Sequence, residues 1–217
     1  MKSVTLDIET IQPRWKPPED TPDQFPPLPY HEPVVISWLC VDSSEPNPFR
    51  FRTTRLDLDA ERGVLIELAG DITGADILIT FNGRGFDMPV LGMRATLCAV
   101  DWAFWHDWRH RYGNYKQALR HIDLLDQFTD YGAGRFFKLG ALCELLGLPG
   151  KLADGGDVSA MWADGDDGRQ KVADYCDHDV YLTWLAYLRW CWTFQGKDTK
   201  QIWKASKEWW HARQEGI

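Results

Sequence analysis

The sequence predicts an α/β domain, a sheet with helices packed on its faces. Three observations predict it. Residues 4–10, Val4-Thr5-Leu6-Asp7-Ile8-Glu9-Thr10, alternate apolar and polar side chains with the period of a strand buried on one face. Residues 76–81 form a short apolar run that stops at Asn82-Gly83, a strong turn signal. Residues 170–192 carry apolar positions 172, 173, 176, 180, 184, 188 and 191, the spacing of a long helix. The 217 residues are enough for one full domain with a sizeable core. Hydrophobic content of 44% and charged content of 26% are ordinary for a globular chain.

The first strand is followed by a segment holding eight of the twelve prolines, between Pro13 and Pro33. Proline fixes φ and removes a backbone donor, so this stretch is expected as a loop, neither helix nor central strand. Such a loop is either a lid over the neighbouring acids or a surface excursion. Residues 34–41 read as a buried strand and 48–53 as its antiparallel partner, joined by a turn at 43–46. A helix is expected over 58–69, then the strand 76–81, then a helix over 86–99. Residues 101–115 interleave Trp102, Phe104, Trp105, Trp108, Tyr112 and Tyr115 with His106, Arg109, His110 and Arg111. That pattern reads two ways: an aromatic flap packed on the core, or a surface that stacks unpaired bases.

Residues 121–126 read as a short strand running into a turn, and 139–146 as a short helix closed by Gly147. A glycine-rich loop follows at 154–157, and Ser159 starts a short helix through Trp162. The tail, 199–214, has an amphipathic pattern and is expected to pack back on its own domain. The division is thus a main domain, 1–195, and a C-terminal amphipathic tail, 196–217.

The net charge of −8 argues against a general nucleic-acid coat protein, though not against an enzyme whose acids bind metal. Twelve tryptophans are unusually many and call for aromatic surfaces. Five cysteines, odd in number and without a C-x-x-C pair, read as reduced core residues. The chain enters directly into a strand, without a signal-peptide pattern, and has no 18-residue apolar run. A cytoplasmic protein with no membrane contact is the expectation.

Asp7 and Glu9 project from the same side of the first strand, one pleat repeat apart. Carboxylates held that close repel unless a cation lies between them. Hard oxygen ligands on a stiff strand suit Mg²⁺ or Mn²⁺ rather than zinc. Solvated acids at a strand edge, or a helix cap beginning at Glu9, are the plainer alternatives. Asp87 follows the turn Asn82-Gly83-Arg84-Gly85-Phe86 and falls in the first turn of a helix, where an ionised carboxylate is favoured. It is therefore a helix-start acid or a metal ligand, which must be ionised. Tyr175 and Asp179 stand at i and i+4 on the long helix and share a face. A core tyrosine beside a surface aspartate would give the same spacing.

Three segments in this order, Leu6-Asp7-Ile8-Glu9-Thr10, Phe81-Asn82-Gly83-Arg84-Gly85-Phe86-Asp87 and Tyr175-Cys176-Asp177-His178-Asp179, resemble the DEDD superfamily of 3′–5′ exonucleases. The Tyr-x-x-x-Asp spacing is similar to the tyrosine subclass, as in the exonuclease domain of family-B DNA polymerases. A histidine subclass would place His at 174, which is Asp here. His121 to Asp126 and Gly147 to Lys151 resemble a group of stand-alone bacterial proteins described as predicted exonucleases related to that domain. The resemblance covers residues 3–193 and leaves the tail aside.

What the resemblance implies is a ribonuclease-H-like mixed sheet flanked by helices, and a two-metal hydrolase of single-stranded nucleic acid acting at 3′ ends, DNA before RNA. Two Mg²⁺ or Mn²⁺ ions would be held by Asp7, Glu9, Asp87 and Asp179, with Asp7 bridging both and Tyr175 orienting the attacking water. Thr10, Asn82, Arg84, Phe86 and Lys151 would bind substrate, with Arg135 and Lys138 as further basic candidates. Asp123 and Asp126 read as supporting acids rather than ligands. Two other functions stay open: a binding or assembly module with weak or no turnover, and a metal-dependent nucleotide phosphatase.

Overall fold

The computed structural model describes residues 1–20, 25–56, 60–108, 120–150 and 158–216. Strands β1 (Lys2–Ile11), β2 (Glu32–Asp42), β3 (Phe49–Arg55), β4 (Ile77–Thr80) and β5 (His121–Asp123) form one sheet in the order β3-β2-β1-β4-β5. The β1–β2 and β2–β3 pairs are antiparallel, while β4 lies parallel to β1 and β5 parallel to β4. The longest strands therefore sit near the middle, and β1 is the stiff centre of a mixed sheet.

One face is covered by α1 (Glu61–Thr73), α2 (Asp87–Leu97) and α3 (Ala103–Trp108). There Val4, Leu6 and Ile8 of β1 meet Leu65, Leu68 and Ile72 of α1 and Met88 and Leu91 of α2. Each such side chain, fully buried, contributes about 1.5–3 kcal/mol of transfer free energy. The opposite face is covered by α7 (Gly165–Gln195) and its neighbours α5 (Leu139–Leu146), α6 (Val158–Ala163) and α8 (Lys200–Glu215). A short α4 (Leu124–Phe128) follows β5 directly.

This arrangement corrects the reading of β1 as a strand buried on one face. Its polar residues also lie inside: Thr5 is fully buried, and Ser3 and Glu9 nearly so. The face that alternates polar in sequence is the face under α7, not a face in water.

Other differences are local. Pro33 lies within β2, where the expectation placed it in a loop. It is tolerated because it sits opposite Thr10 at a register shift in the β1–β2 ladder, outside the stretch of β2 that pairs with β3. The expected short strand and turn of 121–126 are the strand β5, ending at Asp123, and the start of a short helix, where the Asp123 side chain accepts the Leu125 N–H and begins α4. Helix α7 starts at Gly165, five residues before the expected 170. Two glycines and two acids in that first turn hid it, since glycine weakens helix interiors. Gly168 is there for contact: a Cβ would fall 1.9 Å from the Met161 carbonyl oxygen, so α6 can cross α7 only at a glycine.

The flap is core as far as it is described. Trp105 is buried with Val64 and Leu91 in one cluster, and Trp102 and Phe104 pack against it. Arg109 and the rest of the flap lie outside the described residues, as do Lys151 and the glycine-rich loop 154–157. No helix among the described residues is long and apolar enough to cross a membrane.

The tail folds back as expected. Trp210 of α8 stacks on Tyr181 of α7 with ring centroids 4.4 Å apart, and Trp209 stacks on Phe49 and Phe51 of β3. Ser206 is fully buried; its hydroxyl accepts the Trp184 Nε1–H at 2.8 Å and donates to the Ile202 carbonyl. Ser206→Ala strands the indole N–H in an apolar cluster, so a loss of about 1–3 kcal/mol is expected in urea unfolding. A loss within about 0.5 kcal/mol, typical of a surface change, would show that the tail is not part of the core.

Candidate active site

Asp7 and Glu9 stand opposite Ser37 and Val35 of β2, on the sheet face that α7 crosses. Above them α7 brings Asp179. One carboxylate oxygen from each of Asp7, Glu9 and Asp179 lies within 4.8 Å of the others. Glu9 and Asp179 are buried and Asp7 is half-buried. Tyr175, one turn before Asp179, interacts with that carboxylate. Burial first, then the charges of Asp179, Glu9 and Asp7, raise the phenol far above its ordinary range, so it keeps its proton. Asp179 is thus a buried acid, not the surface aspartate that its spacing alone allowed.

Asp87 opens α2, and its Oδ1 accepts the Ile8 backbone N–H at 3.1 Å. That bond ties the start of α2 to β1 between Asp7 and Glu9. Burial, chiefly, and then the charges of Asp123 and Asp179 push Asp87 up to about 7, although its own and the Ile8 N–H groups oppose the shift. Cys176 sits on the cluster's other side, 3.4 Å from the Asp7 carbonyl oxygen and 3.6 Å from its Oδ2. Burial and the Asp7 and Glu9 charges push this thiol up, so it is a neutral donor to Asp7 rather than a thiolate. Asp87, Tyr175 and Cys176 are all raised, by burial first and then by the charge of the neighbouring acids. An all-oxygen carboxylate set of this kind fits a hard divalent cation such as Mg²⁺ or Mn²⁺.

All five of these expected residues, Asp7, Glu9, Asp87, Tyr175 and Asp179, line one cavity of about 890 Å³. Asn82 and Phe86 line it as well. The turn that carries them is fixed by Asp123, whose carboxylate accepts the N–H groups of Asn82 at 2.9 Å and Arg84 at 2.7 Å. Asn82 adopts a left-handed φ of 63°. Gly83 is required beside it, because a Cβ there would meet the Thr80 side chain at 2.5 Å. Lys138, at the N-terminus of α5, is the one cation lining this cavity among the described residues.

Two expected substrate-binding residues lie elsewhere. The Thr10 hydroxyl is buried against Nδ1 of His31 at 2.9 Å. Arg84 pairs with Asp126 at 2.8 Å, reaches the His121 carbonyl, and lines a second cavity of about 340 Å³. Asp126 is therefore an ion-pair partner and Asp123 a turn anchor. Sequence reasoning missed His31, Cys176, Phe25 and Phe136. Only the aromatic character of Phe25 and Phe136 was available as a signal; His31 and Cys176 have no local pattern that marks them.

Fold and site together define an α/β domain with an acidic, metal-fitting centre beneath a long helix. The chain belongs to a family described as predicted 3′–5′ exonucleases related to the exonuclease domain of PolB, whose profile matches residues 23–212. The match includes Asp87, Tyr175, Asp179 and most of the tail; Asp7 and Glu9 precede it. Among solved structures, the family B DNA polymerase of the hyperthermophilic archaeon Pyrobaculum calidifontis is similar, with a TM-score of 0.60 and 19% identity over 88% of this chain. This chain spans 24% of that polymerase. No curated protein matches it.

A carboxyl whose pKa is raised on folding supplies its full stability below the unfolded value and loses it as pH climbs through the folded value. In chelator, the wild type should therefore lose stability relative to Asp87→Asn between about pH 4 and 7, then run parallel to it. Melting temperatures of both proteins across that range check this. Parallel curves throughout would mean that Asp87 is not held in a charge-disfavouring site.

Proposed function

We propose that this protein is a metal-dependent 3′–5′ exonuclease that hydrolyses phosphodiester bonds of single-stranded nucleic acid, DNA before RNA, with two divalent ions. The observation that carries the reading is the convergence of Asp7, Glu9 and Asp179 within 4.8 Å, with Asp87 and Tyr175 in the same cavity. The family description supports the reaction class and direction, and its printed relation to PolB supports DNA.

Asp7, Glu9 and Asp179 would hold one ion; Asp7 and Asp87 would hold the second. When bound, such ions acidify water at neutral pH and neutralise charge developing on the phosphate. Tyr175 keeps its proton and cannot serve as base. Its neutral hydroxyl, one helical turn from Asp179, would accept from the attacking water and aim that water's lone pair. Asn82 and Phe86 would contact the terminal nucleotide, the Phe86 ring giving its base a face. Water adds to phosphorus, the 3′ oxygen of the preceding sugar leaves, and a nucleoside 5′-monophosphate is released. Lys151 remains a candidate for a phosphate contact.

End-labelled single strands of DNA and RNA should lose mononucleotides from the 3′ end with Mg²⁺ or Mn²⁺ and stay intact in chelator. Asp7→Asn and Asp179→Asn remove a charge without changing size and should bring activity near background. Tyr175→Phe removes one hydroxyl and should lower the rate while sparing metal binding. The expected order is Asp7→Asn at least as damaging as Asp179→Asn, and both worse than Tyr175→Phe. Comparable cleavage of a circular single strand would refute an exonuclease and point to an endonuclease.

A further inference from the structure

Two aromatic side chains on the cavity rim have no part in the hydrolytic centre. Phe25 is 71% exposed and Phe136 is 65% exposed, and both line the cavity that holds Asp7 and Asp179. Single exposed phenylalanines are unremarked on most protein surfaces. What separates these two is their place on the rim of the acidic cavity.

Phe25 stacks on the His31 ring at 4.9 Å and meets Phe86 edge-on at 5.6 Å. His31 meets Phe86 edge-on at 4.8 Å, so the three rings back one another. His31 itself is fixed. Its Nε2 faces the Pro26 carbonyl at 3.1 Å and must donate, which leaves Nδ1 to accept from Thr10 and Gln12. Burial lowers its pKa, in keeping with this neutral form. Thr10 is the neighbour of Glu9, so the Phe25 ring is indexed to the strand that carries the acids.

Phe136 follows a turn with left-handed backbone. Asp130, Tyr131 and Gly132 have φ of 49°, 57° and 90° in succession. Left-handed non-glycine residues persist only where their surroundings over-determine them. Here the Thr129 hydroxyl donates to the Leu125 carbonyl and accepts the Gly132 N–H, Tyr131 N–H bonds the Asp126 carbonyl, and Gly134 N–H bonds that of Thr129. The turn leads to Phe136, which stands on the boundary between this cavity and the one lined by Arg84 and Asp126.

We propose that Phe25 and Phe136 form a clamp for unpaired bases, each ring stacking on one of the last two bases of a 3′ single strand. The proposal rests on the exonuclease reading for its substrate class. Every base presents a π-face, and in a duplex those faces are covered, so exposed rings at two points of one groove select unpaired strands without selecting sequence.

The test is an anisotropy titration of a 5′-labelled oligodeoxythymidine in Ca²⁺, which binds oxygen ligands while holding back turnover. Phe25→Ala and Phe136→Ala should each weaken binding about fivefold or more. Phe25→Trp should retain affinity, and all three should keep the wild-type melting temperature, since both side chains are exposed. A strand lacking its two 3′-terminal bases should bind the wild type as weakly as the intact strand binds the double alanine variant, and that variant should not tell the two strands apart. Wild-type affinity in the alanine variants, or an equal abasic penalty in all proteins, overturns the clamp. Turnover in Mn²⁺ is read separately. Aromatic-dependent binding without release of mononucleotides refutes the exonuclease and leaves the clamp standing; release without aromatic dependence does the reverse.

Discussion

Mutual repulsion of the carboxylates beneath α7 is the constraint on which the rest of the structure depends. Two unit charges about 5 Å apart at an effective dielectric of about 20 repel by about 3 kcal/mol. Three acids within 4.8 Å of one another, two of them buried, carry that cost pairwise. A chain keeps such an arrangement only if stronger packing holds the elements together. The apolar face of β1 does so: Val4, Leu6 and Ile8 are buried against α1 and α2 directly behind the acids. The strand is thus anchored through one face so that the other can hold charge.

Helix α7 must also be fixed in rotation, or Tyr175 and Asp179 would not face β1. Asp177, two residues before Asp179, is the key. Its carboxylate accepts from Ser37 of β2 at 2.7 Å, Thr53 of β3 at 2.6 Å and Arg213 of α8 at 2.8 Å. Burial raises its pKa, and these three donors oppose the shift. Arg213 also lies over the Phe51 ring at 4.5 Å, so the tail completes the lock that sets the helix. The tail and the site are mechanically connected even though no residue of α8 lines the acidic cavity.

Much of this was legible in sequence because it is local. The alternation in 4–10 placed Asp7 and Glu9 on one face, and i, i+4 spacing placed Tyr175 with Asp179. Asn82-Gly83 announced a turn whose geometry suits Asn82, at a left-handed φ, and requires Gly83. What stayed hidden depends on partners far away in the chain. The period of β1 cannot say whether its polar face meets water or a helix; α7 decides that from more than 150 residues away. Arg84 reads as a phosphate contact until Asp126 is seen beside it. His31 has no marking pattern, because its role is a clasp between Thr10 and Pro26. Glycines at 165 and 168 concealed the start of α7: Gly165 serves a left-handed φ of 76° at the helix entry, and Gly168 serves close contact with α6, neither of which helix propensity registers.

The function proposed for this fold requires that the acids of β1 and α7 form a metal centre. Titration of the protein with Mn²⁺, followed by the electron paramagnetic resonance of the free ion, tests this without substrate or turnover. The wild type should bind at least one ion tightly, with affinity falling as pH drops into the carboxyl range. Glu9→Gln, which keeps the side chain's size and removes one charge, should lose that tight binding. Equal and weak binding by the two proteins would contradict a metal centre at Asp7, Glu9 and Asp179.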